Sequence, residues 1–481
     1  MQQVAIVGGG ISGLAAAYFL EKRSAEAGMD VAIDLIESRE RLGGVIVSER
    51  SEGFLAEGGP DSFLTQKPAA IDLCRALGLA GELIPSNDQQ RKTYILQNGR
   101  LKALPDGLMF LLPTKVAPIL HSELFSFAGK MRLAISPLLT PPRVEGDISV
   151  ADFVTERLGR EVFERLAEPL LSAVYGADVA TLSARAVLPR VLEMEQKYGS
   201  LWKAVRAVKK AARASGRAAE SGAPGGAPQL ASSLFVSLRE GIGQLVEALQ
   251  NSLKRTQFVT GTEITRICRA APSTYSLAAA DGEAAAQAVI LCAPAHSAAK
   301  LVGELDAELS AKLAGIPYHS TLTVSLGFDQ DAVRRPLDGF GFVVPRGEGK
   351  RMVACTWVST KYSFRCPPGR VLVRAFLGGA RDESVVNEDE RTVLDTVLRE
   401  LDELMGLRSD PVFTRMHRWP GAMPQYNVGH PGRVEEIRRL LEGHPGLYLA
   451  GNAYKGIGIP DCIDSASQAA AAAFRYLQSG A

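Results

Sequence analysis

The chain lacks the marks of several protein classes. None of its six cysteines (Cys74, Cys268, Cys292, Cys355, Cys366, Cys462) forms a CxxC pair or stands beside a histidine at metal-ligand spacing. No metal site is therefore expected, and the thiols read as single buried or half-buried groups in a reducing compartment. Charge of one sign is not in excess either. Lys plus Arg is 54 and Asp plus Glu is 53, a formal net charge of +1, which argues against nucleic-acid binding through bulk positive charge. No run reaches the roughly 18 apolar residues of a spanning helix, and no internal repeat is present. Residues 1–7 run straight into Gly8 without the basic stretch of a secretory leader, so a cytoplasmic address is expected. Glycine, in contrast, is plentiful, 47 of 481 residues, against a usual share of about 7%. The length corresponds to roughly three domains at about 150 residues each.

Val4-Ala5-Ile6-Val7 reads as a strand buried on both faces of a parallel sheet. A glycine-rich turn, a helix over 14–25 and a second strand over 31–36 complete a βαβ unit. Residues 148–200 read as helices, with Asp147 or Ser149 as the first cap. From Lys203 a basic helix (Arg206, Lys209, Lys210, Arg213) decays into Ser221-Gly222-Ala223-Pro224-Gly225-Gly226, the composition of a solvated linker. Strands are expected near 257–267, 275–280 and 289–292, and a second, antiparallel sheet from 320–328, 340–344, 352–358 and 371–377. An amphipathic helix over 391–405, a strand over 446–451 and an alanine-rich helix over 463–477 close the chain.

Gly8-x-Gly10-x-x-Gly13 follows the first strand and opens the first helix, and Glu37 ends the second strand 24 positions beyond Gly13. In that context each part has a physical task. Gly8 permits a tight turn, Gly10 lets the backbone approach a pyrophosphate, and Gly13 lets helix and strand pack closely. The helix N-terminus offers unpaired N–H groups to phosphates, and Glu37 would accept hydrogen bonds from a ribose. Two more glycine-rich segments, Leu42-Gly43-Gly44 and Glu57-Gly58-Gly59-Pro60-Asp61-Ser62, and the closing Ala450-Gly451-Asn452 suit an extended FAD rather than NAD.

With these motifs the sequence resembles the flavin-containing amine oxidase superfamily and, within it, the protoporphyrinogen oxidase / coproporphyrinogen III oxidase family. Glu37-x-x-x-Arg41-Leu42-Gly43-Gly44 belongs to the whole superfamily. Three segments are similar to the porphyrinogen oxidases in particular. The first runs from Leu104-Pro105-Asp106-Gly107 to Pro113-Thr114-Lys115. The second holds Leu166-x-Glu168-Pro169-Leu170, Val174-Tyr175-Gly176-Ala177-Asp178, Leu182-Ser183 and Glu195-x-x-Tyr198-Gly199-Ser200. The third holds Tyr426-Asn427-Val428-Gly429-His430 and Gly451-Asn452-x-x-x-Gly456-Ile457-Gly458-Ile459-Pro460-Asp461-Cys462-Ile463.

The resemblance implies an α/β fold: a Rossmann-like FAD-binding domain, an antiparallel-sheet substrate domain and a helical domain. The expected FAD-binding domain is discontinuous (1–90, 233–298 and 424–481). The substrate domain is 299–423, the helical domain 91–205 and a linker or insertion 206–232. Gly8, Gly9, Gly10, Ile11, Ser12, Gly13, Glu37, Ser38, Arg41, Gly44, Val45, Gly59, Pro60, Asp61 and Ser62 fall where the family contacts FAD. Ile264 is similar to the residue whose backbone meets the adenine, and Trp419 to an aromatic near the isoalloxazine. Gly451, Gly458, Ile459 and Pro460 lie at its pyrimidine edge, where a helix N-terminus would favour negative charge on the reduced ring. Cysteine is absent from 419–424, so FAD is expected to be non-covalent.

The implied reaction is oxidation of a porphyrinogen, protoporphyrinogen IX or coproporphyrinogen III, in haem biosynthesis. Six electrons leave in three rounds, and dioxygen is reduced to hydrogen peroxide. Such chemistry needs a held, flat apolar ring rather than a catalytic triad. Arg91 or Lys92 is the expected propionate contact, with Leu322, Phe340 and Phe342 lining the ring, and Val324 and Val353 beside them. Absence of lysine between Lys312 and Lys350 counts against the alternative, an amine or polyamine oxidase; a carotenoid-type desaturase is the other. The histidines read as surface or capping groups, with His430 set apart by its place beside the flavin segment. The apolar stretch 108–113, continued by Ile119, Leu120, Leu124 and Phe125, would roof the site or dip into one leaflet, so peripheral membrane contact stays open. A monomer or homodimer handing its product to a ferrochelatase completes the expectation.

Overall fold

The computed structural model describes residues 2–105, 107–109, 112–113, 116–139, 146–214, 233–280 and 282–480. Asp106, Phe110, Leu111, Thr114, Lys115 and the linker residues 215–232 lie outside them.

Five parallel strands form the first sheet, in the order Thr256–Val259, Val31–Ile36, Gln2–Val7, Ala288–Leu291, Leu447–Leu449. Val4 and Ile6 pack into one core with the N-terminal helix Ile11–Glu26 and the C-terminal helix Ile459–Gln478. Ala5 and Val7 pack into another, with the antiparallel hairpin strands Ile264–Ala271 and Thr274–Ala279. Both faces are covered, which is why these strands are continuously apolar. The two helices approach closely because alanines line them: Ala15, Ala16 and Ala17 on one, Ala466, Ala470 and Ala473 on the other, all buried. The span expected as one strand near 257–267 is two, Thr256–Val259 in the parallel sheet and Ile264–Ala271 in the hairpin.

The second sheet has seven strands, in the order Phe413–Pro424, Tyr318–Asp329, Arg370–Gly378, Ala354–Trp357, Gly341–Val343, Thr93–Gln97, Arg100–Ala103. It is antiparallel except where Gly341–Val343 runs parallel to Thr93–Gln97. Two of its strands, Thr93–Gln97 and Arg100–Ala103, therefore come from the start of the 91–205 unit. Phe413–Pro424 was not expected as a strand, because its Arg, His, Pro and Gly residues break any apolar alternation. Alternation divides the sheet's faces. Leu322, Val324, Leu326 and Phe328 meet Val393, Val397 and Leu401 of the helix Glu390–Met405. Thr321, Thr323 and Ser325 point to the other face, where the 54–62 region and the helical unit lie.

The helical unit packs Val150, Phe153, Leu166 and Leu182 onto Ile95, Val343 and Ala354 of the sheet. Ser149 caps its helix Val150–Leu158 by accepting the Asp152 N–H at 3.0 Å. Inside it Arg157 Nε donates to both Glu195 carboxylate oxygens at 2.8 and 2.9 Å. Ile119, Leu124 and Phe125, expected as possible membrane contacts, are buried in this unit.

Candidate active site

The N-terminal strand ends at Gly8, whose φ of +111° suits glycine. A Cβ at Gly13 would stand 1.9 Å from the Gly8 carbonyl oxygen, so helix and strand pack here only without a side chain. Gly10 differs: a Cβ there would meet a single atom, Gly44 Cα, at 4.0 Å. It borders an open cradle at the start of the helix Ile11–Glu26, which has no side-chain cap and no acidic residue in its first turn. Unpaired N–H groups and the positive helix end thus face this cradle. The second glycine segment is laid against the first, with the Gly43 N–H donating to Gly9 O at 2.8 Å. Arg41 holds its loop by donating to the Gly44 carbonyl at 2.6 Å and to those of Leu42 and Ile46 at 3.3 Å.

Glu37 leaves the second strand beside this cradle. Its carboxylate accepts the Gly9 N–H at 2.6 Å, the Arg39 N–H at 3.0 Å and the Ser38 hydroxyl at 3.3 Å. Backbone bonds from Glu37 to Val259 and from Thr262 to Glu37 bring the 259–264 turn alongside. Ile264 itself is buried in the core beneath it.

Gly451, at φ +133°, lies near Ser12, its missing Cβ 3.9 Å from the Ser12 hydroxyl. The C-terminal helix starts after Gly458 with Ile459 and Pro460, and Asp461 in its first turn accepts the Gly458 N–H at 3.2 Å. Lys67 bonds both Asp461 oxygens at 2.7 and 2.6 Å. That helix start therefore already holds a charge pair which the sequence reading did not anticipate. The residues 182–183 and 426–430, distant in sequence, do meet: the Ser183 N–H donates to Tyr426 O at 2.8 Å and Gly429 N–H to Asp147 at 2.8 Å. Tyr426 bonds the Asn452 carbonyl and stacks on His430 at 4.2 Å. Burial pushes the His430 imidazole down to about 4, and its Nε2 has no partner.

Residues 58–62 are clamped by the second sheet. The Gly58 carbonyl accepts from Trp419 Nε1 at 2.8 Å, Arg374 at 2.9 Å and Thr323 at 3.1 Å. Asp61 pairs with Lys361 at 3.0 and 3.1 Å and accepts the Ser62 hydroxyl at 2.6 Å. Burial alone would raise the Asp61 carboxyl, but Lys361, Arg365 and Arg374 hold it well below the ordinary range. Gly59 admits no side chain, since a Cβ would stand 1.9 Å from Val45 O, and Pro60 follows it. A lysine thus does approach this segment, from just beyond the lysine-free span, with its ammonium engaged by Asp61.

The expected substrate residues need correction. Leu322 and Phe342 are buried against the helix Glu390–Met405, on the sheet face opposite Thr323. Val324 shares that core. Lys92 is ion-paired with Asp338 at 2.9 Å. Arg91 is exposed and Phe340 half-buried. Arg374, Lys361, Arg365, Lys67 and Tyr426 were missed as candidate site residues; only Tyr426 carried a sequence signal, its place in a family-like segment. Among the described residues no cluster of three His, Cys, Asp or Glu side chains could hold a metal, and all six cysteines are free thiols.

A parallel sheet with an uncapped helix N-terminus and open glycine cradle at its carboxyl edge, and an acidic residue beside it, defines a dinucleotide-binding protein. Residues 11–473 match the family of flavin containing amine oxidoreductases, and the chain belongs to that family. It is similar to coproporphyrinogen III oxidase of Bacillus subtilis, 36% identical over 99% of this chain and 98% of the relative. It is 29% identical to chloroplastic protoporphyrinogen oxidase 1 of Arabidopsis thaliana, over 97% of this chain and 86% of that one. A crystal structure from Exiguobacterium sp. 255-15 superposes with a TM-score of 0.85 at 32% identity, covering 99% of each chain. The protein is a flavin-dependent oxidoreductase with FAD as cofactor, and its open cradle at Gly10 fits the pyrophosphate of that group.

Proposed function

We propose that this protein oxidises coproporphyrinogen III to coproporphyrin in haem biosynthesis, with dioxygen as acceptor. The observation that carries the reading is the 36% identity to the Bacillus subtilis coproporphyrinogen III oxidase across practically the whole of both chains. The plant protoporphyrinogen oxidases are more distant, 29% for the Arabidopsis protein, which favours the tetrapropionate ring, whereas the Exiguobacterium structure, named a protoporphyrinogen oxidase, stands at 32%. When bound, FAD accepts hydride from the macrocycle and passes the electrons to dioxygen, giving hydrogen peroxide.

The chain's own residues supply binding and orientation. Residues 8–13 and the helix start at Ile11 would hold the pyrophosphate, and Glu37 and Ser38 the ribose. Arg41, Gly44 and Val45, on the second glycine loop beside the first, would also contact the cofactor. Residues 59–62, Trp419, Gly451 and 458–460 would border the flavin ring, and Ile264 carries the turn beside the adenine. Segments 1–90, 233–298 and 424–481 would act as one cofactor-holding unit, 299–423 with the strands of 93–103 as the substrate unit, and the rest of 91–205 as a helical cover. Arg91 is retained as a propionate contact, Lys92 having its own partner.

The surface supports peripheral attachment on the cytoplasmic membrane face. Phe127, Met131 and Ile135 lie four residues apart on the helix Phe127–Ile135, with Leu139 beyond, and all four are exposed, Phe127 by 80%. Such a stripe suits shallow insertion into one leaflet. No helix among the described residues is long and apolar enough to cross a membrane.

Appearance of porphyrin fluorescence under air, with coproporphyrinogen III and protoporphyrinogen IX in separate cuvettes and an autoxidation blank, tests the reading. A higher kcat/KM on the tetrapropionate is expected. Turnover of an amine or polyene, with neither porphyrinogen oxidised above blank, would overturn it.

A further inference from the structure

Behind residues 58–62 lies a buried charge cluster that the proposed reaction does not use. Three cations converge there from the second sheet and the turn within it: Arg374 (3% exposed), Lys361 (7%) and Arg365 (0%). Two carboxylates answer them, Asp61 paired with Lys361 and Glu57 paired with Arg365 at 3.0 Å. Burial pushes the Glu57 carboxyl up, towards its neutral form, despite Arg365. It draws Arg374 down to about 10, so that guanidinium stays charged at neutral pH. Three cations against two carboxylates leave an excess of positive charge in a region where uncompensated charge is costly.

The hydrogen-bonding needs of the Gly58 carbonyl do not account for Arg374. A carbonyl oxygen has two lone pairs, and Trp419 at 2.8 Å and Thr323 at 3.1 Å already fill those of Gly58. Arg374 adds a third bond at 2.9 Å and a further one to Gly59 O at 2.6 Å, while its Nε has no partner. In a trans peptide the N–H points opposite to the C=O. The Gly59 N–H is therefore directed away from Arg374, and no described residue accepts a hydrogen bond from it. A cation at the oxygen end of a peptide polarises the N–H end into a stronger donor.

We propose that Arg374 is a positioning residue which fixes residues 58–59 against the bound FAD and lends that segment positive potential, favouring the reduced, electron-rich cofactor. The proposal rests on the reading that 59–62 border the flavin.

The test uses holoenzyme and two readouts besides turnover, the FAD dissociation constant and the midpoint potential of the bound flavin. Arg374→Gln keeps a donor but loses the charge. It is expected to shift the reduction equilibrium at least tenfold towards oxidised flavin, about 30 mV for a two-electron couple. Arg374→Lys should lie within threefold of wild type at pH 7. Should the glutamine variant not hold FAD, the lysine variant decides by titration. A buried lysine discharges more easily than arginine, so raising the pH to 9, where Arg374 stays charged, should shift its equilibrium at least tenfold further than wild type. A wild-type potential in Arg374→Gln with FAD bound, or a lysine variant parallel to wild type across that pH range, would overturn the proposal. Failure of the wild-type protein to bind FAD would instead sink the reading on which it rests.

Discussion

Lys361 and Asp61 show how much of the site depends on single buried charges. The ammonium is 3.0 Å from the carboxylate, and both are largely removed from water. Removing Lys361 strips Asp61 of its hydrogen-bonded cation and leaves Arg365 and Arg374 to compensate it, at a cost of up to about 3 kcal/mol. Lys361→Met should therefore lower the melting temperature sharply, and Lys361→Met with Asp61→Asn should recover most of the loss, as followed by calorimetry. Equal melting of the two variants would contradict the pairing. His430 gives a pH-dependent counterpart. Its imidazole titrates at about 4 in the fold, against 6.5 ordinarily, chiefly through burial. The unfolded chain binds the proton first as pH falls, so stability is full above about pH 6.5 and drains away towards pH 4, by up to about 3 kcal/mol. His430→Phe, which keeps a ring on Tyr426, should flatten that part of the melting-temperature profile. An unchanged acid limb would mean His430 is not held neutral. Asp61 and His430 were visible in the sequence because they sit in or beside glycine-rich motifs. Lys361 was not, for nothing local marks a partner 300 residues away.

At the scale of elements, the glycine loops separate folding from cofactor binding. A methyl at position 13 would collide with the Gly8 carbonyl, whereas one at position 10 would find open space. Gly13→Ala should thus destabilise the apoprotein. Gly10→Ala should leave apoprotein melting near wild type and weaken FAD at least tenfold, as read by flavin fluorescence, because the added methyl stands where the pyrophosphate backbone must approach. A Gly10→Ala protein with wild-type FAD affinity would contradict the cradle assignment. Local order was largely legible: the βαβ unit, the strands around 320–377 and the amphipathic helix near 391–405 follow from periodicity alone. Face assignment was not. Alternation along Tyr318–Asp329 distinguishes two faces, but a helix buries one and the rest of the protein the other. Leu322 and Phe342 consequently read as ring-lining residues when they are core, and the polar face carrying Thr323 went unnoticed. Phe413–Pro424 escaped because polar and helix-breaking residues fill it, although it delivers Trp419 to Gly58.

The whole molecule brings a parallel sheet, a seven-stranded sheet and a helical unit together around glycine segments drawn from both ends of the chain. Its exposed apolar stripe at 127–139 belongs to this scale, since it concerns the outer surface of the molecule. Phe127→Ser with Met131→Ser should reduce co-sedimentation with anionic vesicles several-fold while leaving oxidation of coproporphyrinogen III in detergent-free buffer intact. Undiminished vesicle binding would move the attachment elsewhere. The central claim is that FAD-dependent removal of hydrogen from a porphyrinogen occurs here with dioxygen as acceptor. Its most direct test is the ratio of hydrogen peroxide formed to coproporphyrin formed by the purified holoenzyme. Six electrons leaving in pairs predict about three peroxides per porphyrin. Porphyrin formed without peroxide, or FAD-loaded protein that leaves coproporphyrinogen III at its autoxidation rate, would contradict the account.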